Sequence, residues 1–369
     1  MNQAPLLSYI VLSYNYDRYI EKTLRSILSQ TIQDFEIIVV DDASSDRSVA
    51  VVEAINDQRI RLYVNEKNMG GAASYNRAVT EARGEWLVNL DADDWIDPLK
   101  AEKQLQAVAQ DPTLDIIGSY IAVRDENDSV LPAGQSHEEA MNKPHALNLV
   151  DTWIGANYLC RSSTMVRAAA HRRIGLDDPT MVRAPDYELW TRALREGCRF
   201  ALVPEQLTFM RMHSQGVTHA HPIGTLMEMS YAMQRNLAPL AEERSLNLSF
   251  TRMVAWVAKH PSFEGLPRGS AHRLIGALMA PTSANGFTSF MSLINDATDH
   301  DKLAAIGRRT LAFLGPRIDE YQEVGKLLED VEAYRSAVDH FKTQSESWER
   351  EYRYLESKVK NTRPSAQPS

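Results

Sequence analysis

Only two cysteines, Cys160 and Cys198, occur in 369 residues. A pair cannot build a disulfide framework or a four-thiolate metal centre, so a reducing compartment is expected. Seventeen glycines and 16 prolines are too few for a fibrous or low-complexity chain. Basic charge is short as well. Forty Lys and Arg against 49 Asp and Glu leave a formal charge of −9, which argues against extended binding to nucleic acid. No apolar run approaches the ~18 residues that a bilayer span requires. The opening MNQAPLLSYIVLSYN lacks both a basic segment before its apolar stretch and a small-residue cleavage site, so no signal peptide is expected. What is present, 44% hydrophobic and 24% charged residues, is the balance of a globular and, by expectation, cytoplasmic protein.

Short apolar runs at residues 7–12, 35–40, 60–64 and 86–90 alternate with stretches of helical period, the pattern of βαβ units and a mostly parallel sheet flanked by helices. Asp17 is placed to cap the first helix, and Asp97-Pro98 to start the one after the fourth strand. Such sheets bind ligands at the carboxyl ends of their strands. Polar and acidic clusters stand there: Ser13-Tyr14-Asn15, Asp41-Asp42 and Asp91-Ala92-Asp93-Asp94. Residues 125–150 read as a polar surface loop, and residues 186–196 as a helix closed by Gly197. Beyond Ile223 the pattern is almost wholly helical and carries no chemical motif. From Tyr321 to Val359 larger side chains recur at alternating steps of three and four, with one step short, which suits either a coiled coil or a single amphipathic helix.

Two carboxylates at i and i+2 after a buried strand, Asp91 and Asp93, can converge on a hard divalent cation that shares its shell with phosphates. Alone, an acidic turn is more often a cap or a solvated loop, but Asp97 already offers a cap and the acids crowd one another. Asp42 suits either a base or ribose contact or a helix cap, a role Ser44, Ser45 and Asp46 could equally fill. Asp186 reads on residue type alone as the cap of its helix. His219 and His221 follow His213 closely, and a flexible loop suits them better than a zinc site.

Three segments occur in order: VLSYNYDRYIEKTLRSILSQTIQDFEIIVVDDASSD, NEKNMGGAASYNRAV and GEWLVNLDADDWIDP. Residues 7–120 thereby resemble the nucleotide-sugar half of a GT-A-fold, family 2 glycosyltransferase. The resemblance implies that Leu12 and Tyr14 line a base pocket and that Asp42 contacts the base. It further implies that Asp91 binds ribose, Asp93 the metal, and the stretch from Asn68 through Gly70 to Arg77 the sugar-diphosphate. APDYELWTRALREG resembles the family's acidic segment, which places the general base at Asp186, although Pro185 stands where the family often has Glu. Arg211-Met212-His213 resembles an R-x-H element, with Arg211 on the diphosphate and His213 a metal ligand or phosphate donor. Trp153 to Asn157 lies where the family places acceptor-facing residues.

The expected organisation is a GT-A domain over 1–222 (nucleotide-sugar half 1–120, acceptor half 121–222). A helical region at 223–315, a coiled-coil-like helix at 316–361 and a disordered tail at 362–369 follow. The expected activity is inverting, Mn2+- or Mg2+-dependent transfer of a sugar from a nucleoside diphosphate sugar, UDP above all, to a glycan or glycolipid hydroxyl in polysaccharide or cell-surface glycan synthesis. A subunit that binds the nucleotide sugar without turnover, organised by its coiled coil, is the alternative. Homo-oligomerisation or a partner protein through that coil, and peripheral contact with the inner face of a membrane, are the expected associations.

Overall fold

The computed structural model describes residues 4–212, 222–265, 269–280, 286–295 and 297–320. The heptad segment from Tyr321 onward, the tail, and His213, His219 and His221 lie outside the described residues.

Strands β1 (Leu7–Ser13), β2 (Phe35–Asp41), β3 (Ile60–Val64) and β4 (Trp86–Asp91) pair in parallel in the order β3-β2-β1-β4. β1 and β2 are buried nearly end to end, as strands covered on both faces must be. Their side chains divide with period two. Tyr9, Val11, Ile37, Val39, Trp86 and Val88 join one core with Leu24 and Ile27 of α1 (Ile20–Leu28). Ile10, Ile38, Val40 and Leu87 join another with Tyr75 and Ala78 of α3 (Gly71–Glu81). The short α2 (Ser48–Ala54) completes the first layer.

Past β4 the sheet becomes mixed. The two-residue β5 (Trp95–Ile96), α4 (Lys100–Gln110), β6 (Ile116–Arg124), α5 (Gln135–Met141), β7 (Met165–Arg167), α6 (Ala168–Ile174), α7 (Pro185–Arg195) and β8 (Phe200–Arg211) follow. β7 runs antiparallel between β4 and β6, β8 runs parallel to β6, and β5 closes the edge antiparallel to β8. The polar stretch expected to be loop therefore contains α5. It is fastened to β6 where Asn142 bonds the Ile121 amide and carbonyl, at 2.8 Å each.

Three expected caps move. Tyr19, not Asp17, precedes α1, and the Asp17 amide donates to Asp46 Oδ2. α4 starts at Lys100, so Asp97 acts two residues earlier, accepting the Leu99 amide at 2.9 Å. α7 starts at Pro185 after Ala184, which puts Asp186 in the first turn. Each shift follows from a local bond or a proline taking the place of a side-chain cap.

The remaining described chain is helical: α8 (Pro222–Ala232), a π turn over Met233–Leu237, α9 (Ala238–Glu243), α10 (Asn247–Lys259), α11 (Ser270–Met279), α12 (Phe287–Asn295) and α13 (Ala297–Leu314). These helices share one core with α7 through Trp190, Leu194, Met233 and Leu237. Among the described residues, no helix is long and apolar enough to cross a membrane.

Lys100 opens α4 fully buried, and its Nζ has no hydrogen-bond partner among the described residues. Burial lowers its pKa from 10.5 to about 7. Between those values the unfolded chain holds a proton that the folded chain does not, so stability rises with pH through that window and the cost is full below it. Lys100→Met should raise stability to denaturant by a few kcal/mol at neutral pH, a gain shrinking to about 1 kcal/mol near pH 10. A variant less stable than the parent at pH 7 would show that the amine has a stabilising partner.

Candidate active site

The acidic turn after β4 is pinned through its backbone. The Thr23 hydroxyl lies 2.8 Å from the Ala92 carbonyl and 2.7 Å from that of Asp94. Ser162 Oγ accepts the Asp91 amide at 3.1 Å, and Arg211 Nε donates to the Asp93 carbonyl at 3.0 Å. The turn held in this way brings its carboxylates close to one another. Asp91 is pushed up to about 6 by burial and the neighbouring Asp93, with Arg161 pulling the other way. Asp94 is raised well above the usual carboxylate range by burial, Asp93 and Asp91, although it accepts the Arg211 amide at 2.8 Å. Tyr16 hydrogen-bonds Asp93, and burial with these acids holds its phenol protonated.

Asp186 reaches the same place from the other half of the sheet. Its Oδ2 accepts from Asn157 Nδ2 at 2.8 Å. The loop entering α7 is set by Glu228 of α8, a buried carboxylate that gathers the amides of Val182, Arg183 and Ala184 at 3.0, 2.8 and 2.7 Å. Gly155, with φ of 71°, lies so close to Trp256 of α10 that an added Cβ would sit 2.0 Å from the indole nitrogen. Leu12, Asp91, Asn157, Arg161, Asp177 and Asp186 wall one cavity of about 530 Å3 at the carboxyl end of the sheet. Cys160 also lines it, and burial with the nearby acids keeps its thiol protonated.

The remaining expected site residues divide. Asn68 is exposed and accepts the Gly70 amide at 3.1 Å, and Gly70, with φ of 86°, turns the chain into α3. Tyr14 is 47% exposed and does not line the cavity. Three others make bonds within the protein. Asp42 is buried and accepts Asn65 Nδ2 at 2.7 Å and the Met69 and Gly70 amides at 2.8 Å each, holding the loop before α3. Arg77 turns to the end of β3, where its Nη1 donates to Asn65 Oδ1 at 2.6 Å and the Val64 carbonyl at 3.0 Å. Arg211 is buried and bonds within the protein to Asp128 at 2.7 Å and to the Asp93 and Asp125 carbonyls, with Tyr19 and Trp95 against its face. It positions the acidic turn.

Sequence reasoning missed Asn157, Arg161, Asp177 and Glu228. Asn157 fell within a segment flagged for the acceptor side. The other three carry no periodicity or motif, since tertiary packing alone brings them to the site.

If Asp42 serves the loop, Asp42→Ala should cost about 1–3 kcal/mol in chemical denaturation, as expected for amides left unpaired. Hydrogen exchange at the Met69 and Gly70 amides should speed up. Unchanged stability with exchange unaffected would return Asp42 to a ligand-binding role.

The family model for glycosyl transferase family 2 matches residues 8–175. An uncharacterised glycosyltransferase of Haemophilus influenzae is 30% identical over 221 residues, 58% of this chain and 67% of that protein. The succinoglycan biosynthesis protein ExoO of Rhizobium meliloti is 30% identical over 217 residues, 55% of this chain and 60% of its own. Among solved structures, S. aureus TarS residues 1–349 in complex with UDP aligns with a TM-score of 0.53 at 19% identity, covering 82% of this chain and 90% of that one. The fold is thus that of GT-A enzymes, and the chain belongs to glycosyltransferase family 2.

Proposed function

We propose that the protein transfers a sugar, with inversion, from a UDP-sugar to a hydroxyl of a glycan or glycolipid acceptor. The observation that carries this reading is the convergence of Asp91 and Asp186, distant in sequence, on one cavity at the carboxyl end of the sheet. TarS, which shares the fold, holds UDP, and this guides the choice of nucleotide. ExoO's part in succinoglycan synthesis supports a polysaccharide acceptor.

In this reading Leu12 packs against the nucleoside and Asp91 accepts from ribose hydroxyls. Asp186, oriented by Asn157, takes the proton from the acceptor hydroxyl as that oxygen attacks the anomeric carbon from the face opposite the diphosphate. The product is then inverted, through an oxocarbenium-like transition state.

Among the described residues no three His, Cys, Asp or Glu side chains are grouped to hold a metal by themselves. The donor set still suits a hard cation. Asp93, beside Asp91 and Asp94, offers only oxygens, and the crowding that raises its neighbours' pKa values calls for positive charge. Mg2+ and Mn2+ typically complete such a shell with water and substrate phosphates. Bound there, the ion would supply Lewis-acid stabilisation of the departing diphosphate.

UDP release from UDP-glucose, UDP-galactose and UDP-N-acetylglucosamine tests the reading. Asp186→Asn should lower turnover by about 10²- to 10⁴-fold while UDP affinity stays within about twofold. Full activity in that variant would remove Asp186 as the base. Pyrophosphate release from a nucleoside triphosphate and a sugar phosphate would replace glycosyl transfer with nucleotidyl transfer.

A further inference from the structure

One charge pair in the cavity wall has no part in the chemistry above. Arg161 Nη2 donates to Asp177 Oδ2 at 2.8 Å, with side-chain exposures of 11% and 0%. The guanidinium carbon stands 4.1 Å over the Tyr75 ring. Tyr75 is held in turn by His171 Nε2 at 3.2 Å, a ring that burial keeps neutral with a pKa of about 4. Asn76 clamps the Asp177 backbone, donating to its carbonyl at 2.9 Å and accepting its amide at 2.8 Å. The guanidinium is therefore fixed by one edge and one face before any ligand arrives.

Hydrogen-bonding capacity is left over on both members. Arg161 Nε and Nη1 have no partner among the described residues. Asp177 Oδ1 is buried and likewise unpartnered, and burial pushes that carboxyl up to about 6 in spite of the ion pair. Both residues line the cavity beside Asp91 and Asp186.

The leftover groups select a ligand by chemistry. A phosphate drawn to the guanidinium meets the Asp177 carboxylate beside it, and Asp91 and Asp186 add to the repulsion. A hydroxyl is both donor and acceptor: its oxygen accepts from Arg161 and its hydrogen can go to a carboxylate. Sugar hydroxyls match a guanidinium that offers N–H groups, neutralised from behind by Asp177, in a wall that also carries the Asp91 and Asp186 carboxylates. We propose that Arg161, held in place by Asp177, recognises the transferred sugar of the donor through its hydroxyls, and leaves the diphosphate to other groups. This rests on the reading of the cavity as the donor site.

Calorimetric titration of the full chain with UDP, and with whichever of UDP-glucose, UDP-galactose or UDP-N-acetylglucosamine it binds most tightly, tests the assignment. Arg161→Met should weaken the UDP-sugar by about 10- to 100-fold and leave UDP within about twofold. Donors deoxygenated at successive ring positions should identify a hydroxyl whose loss weakens binding to the parent but not to the variant. Equal losses for UDP and UDP-sugar would assign Arg161 to the diphosphate, and no loss for either would make it structural. Both outcomes overturn the proposal. Arg161→Lys keeps a cation against Asp177 but lacks the fork, so the same sugar-selective loss should appear should Arg161→Met fail to fold. A parent protein that binds neither UDP nor UDP-sugar overturns the donor-site reading itself.

Discussion

Crowded negative charge is the constraint around which this site is built. Asp91, Asp93 and Asp94 follow one another at the end of β4, and Asp186 comes close enough to raise the Asp91 carboxyl further. Arg161 eases Asp91 only in part while it is paired with Asp177, and Arg211 is paired with Asp128. Thr23, Ser162 and Arg211 fix the turn by its backbone and so keep the acidic residues together. Repulsion held in place in this way lowers the stability of the free protein and favours a ligand that brings positive charge.

The helical region is part of the same device. Glu228 satisfies three successive amides ahead of α7 and so sets the position of Asp186. Trp256 packs on Gly155, close in sequence to Asn157, which bonds Asp186. The Asp186 side of the cavity therefore depends on helices that carry no chemical motif of their own. Their contribution is geometric, made by one buried carboxylate and one indole.

Much of the fold was legible because its signals are local. Short apolar runs, helical spacing and Gly70 before α3 mark elements that the structure contains, and acids at strand ends mark the face that bears the cavity. Direction was not legible. Asp42 and Arg211 have the residue types expected at a nucleotide site, yet Asp42 turns to the Met69 and Gly70 amides and Arg211 to Asp128. The reverse holds for Arg161: nothing in Leu159-Cys160-Arg161-Ser162 signals a site, and only the approach of α3 and Asp177 makes it one. The expected loop at residues 125–150 missed α5, a helix of seven residues too short for its period to stand out.

Binding of UDP measured by calorimetry in the presence of Mn2+, and again in EDTA, bears most directly on the claim that the acidic turn is built for a cation and the nucleotide it carries. Binding with Mn2+ should weaken at least about tenfold in EDTA, and the metal-dependent gain should disappear in Asp93→Asn. Equal affinity for UDP with and without the ion, unchanged by that substitution, would contradict it.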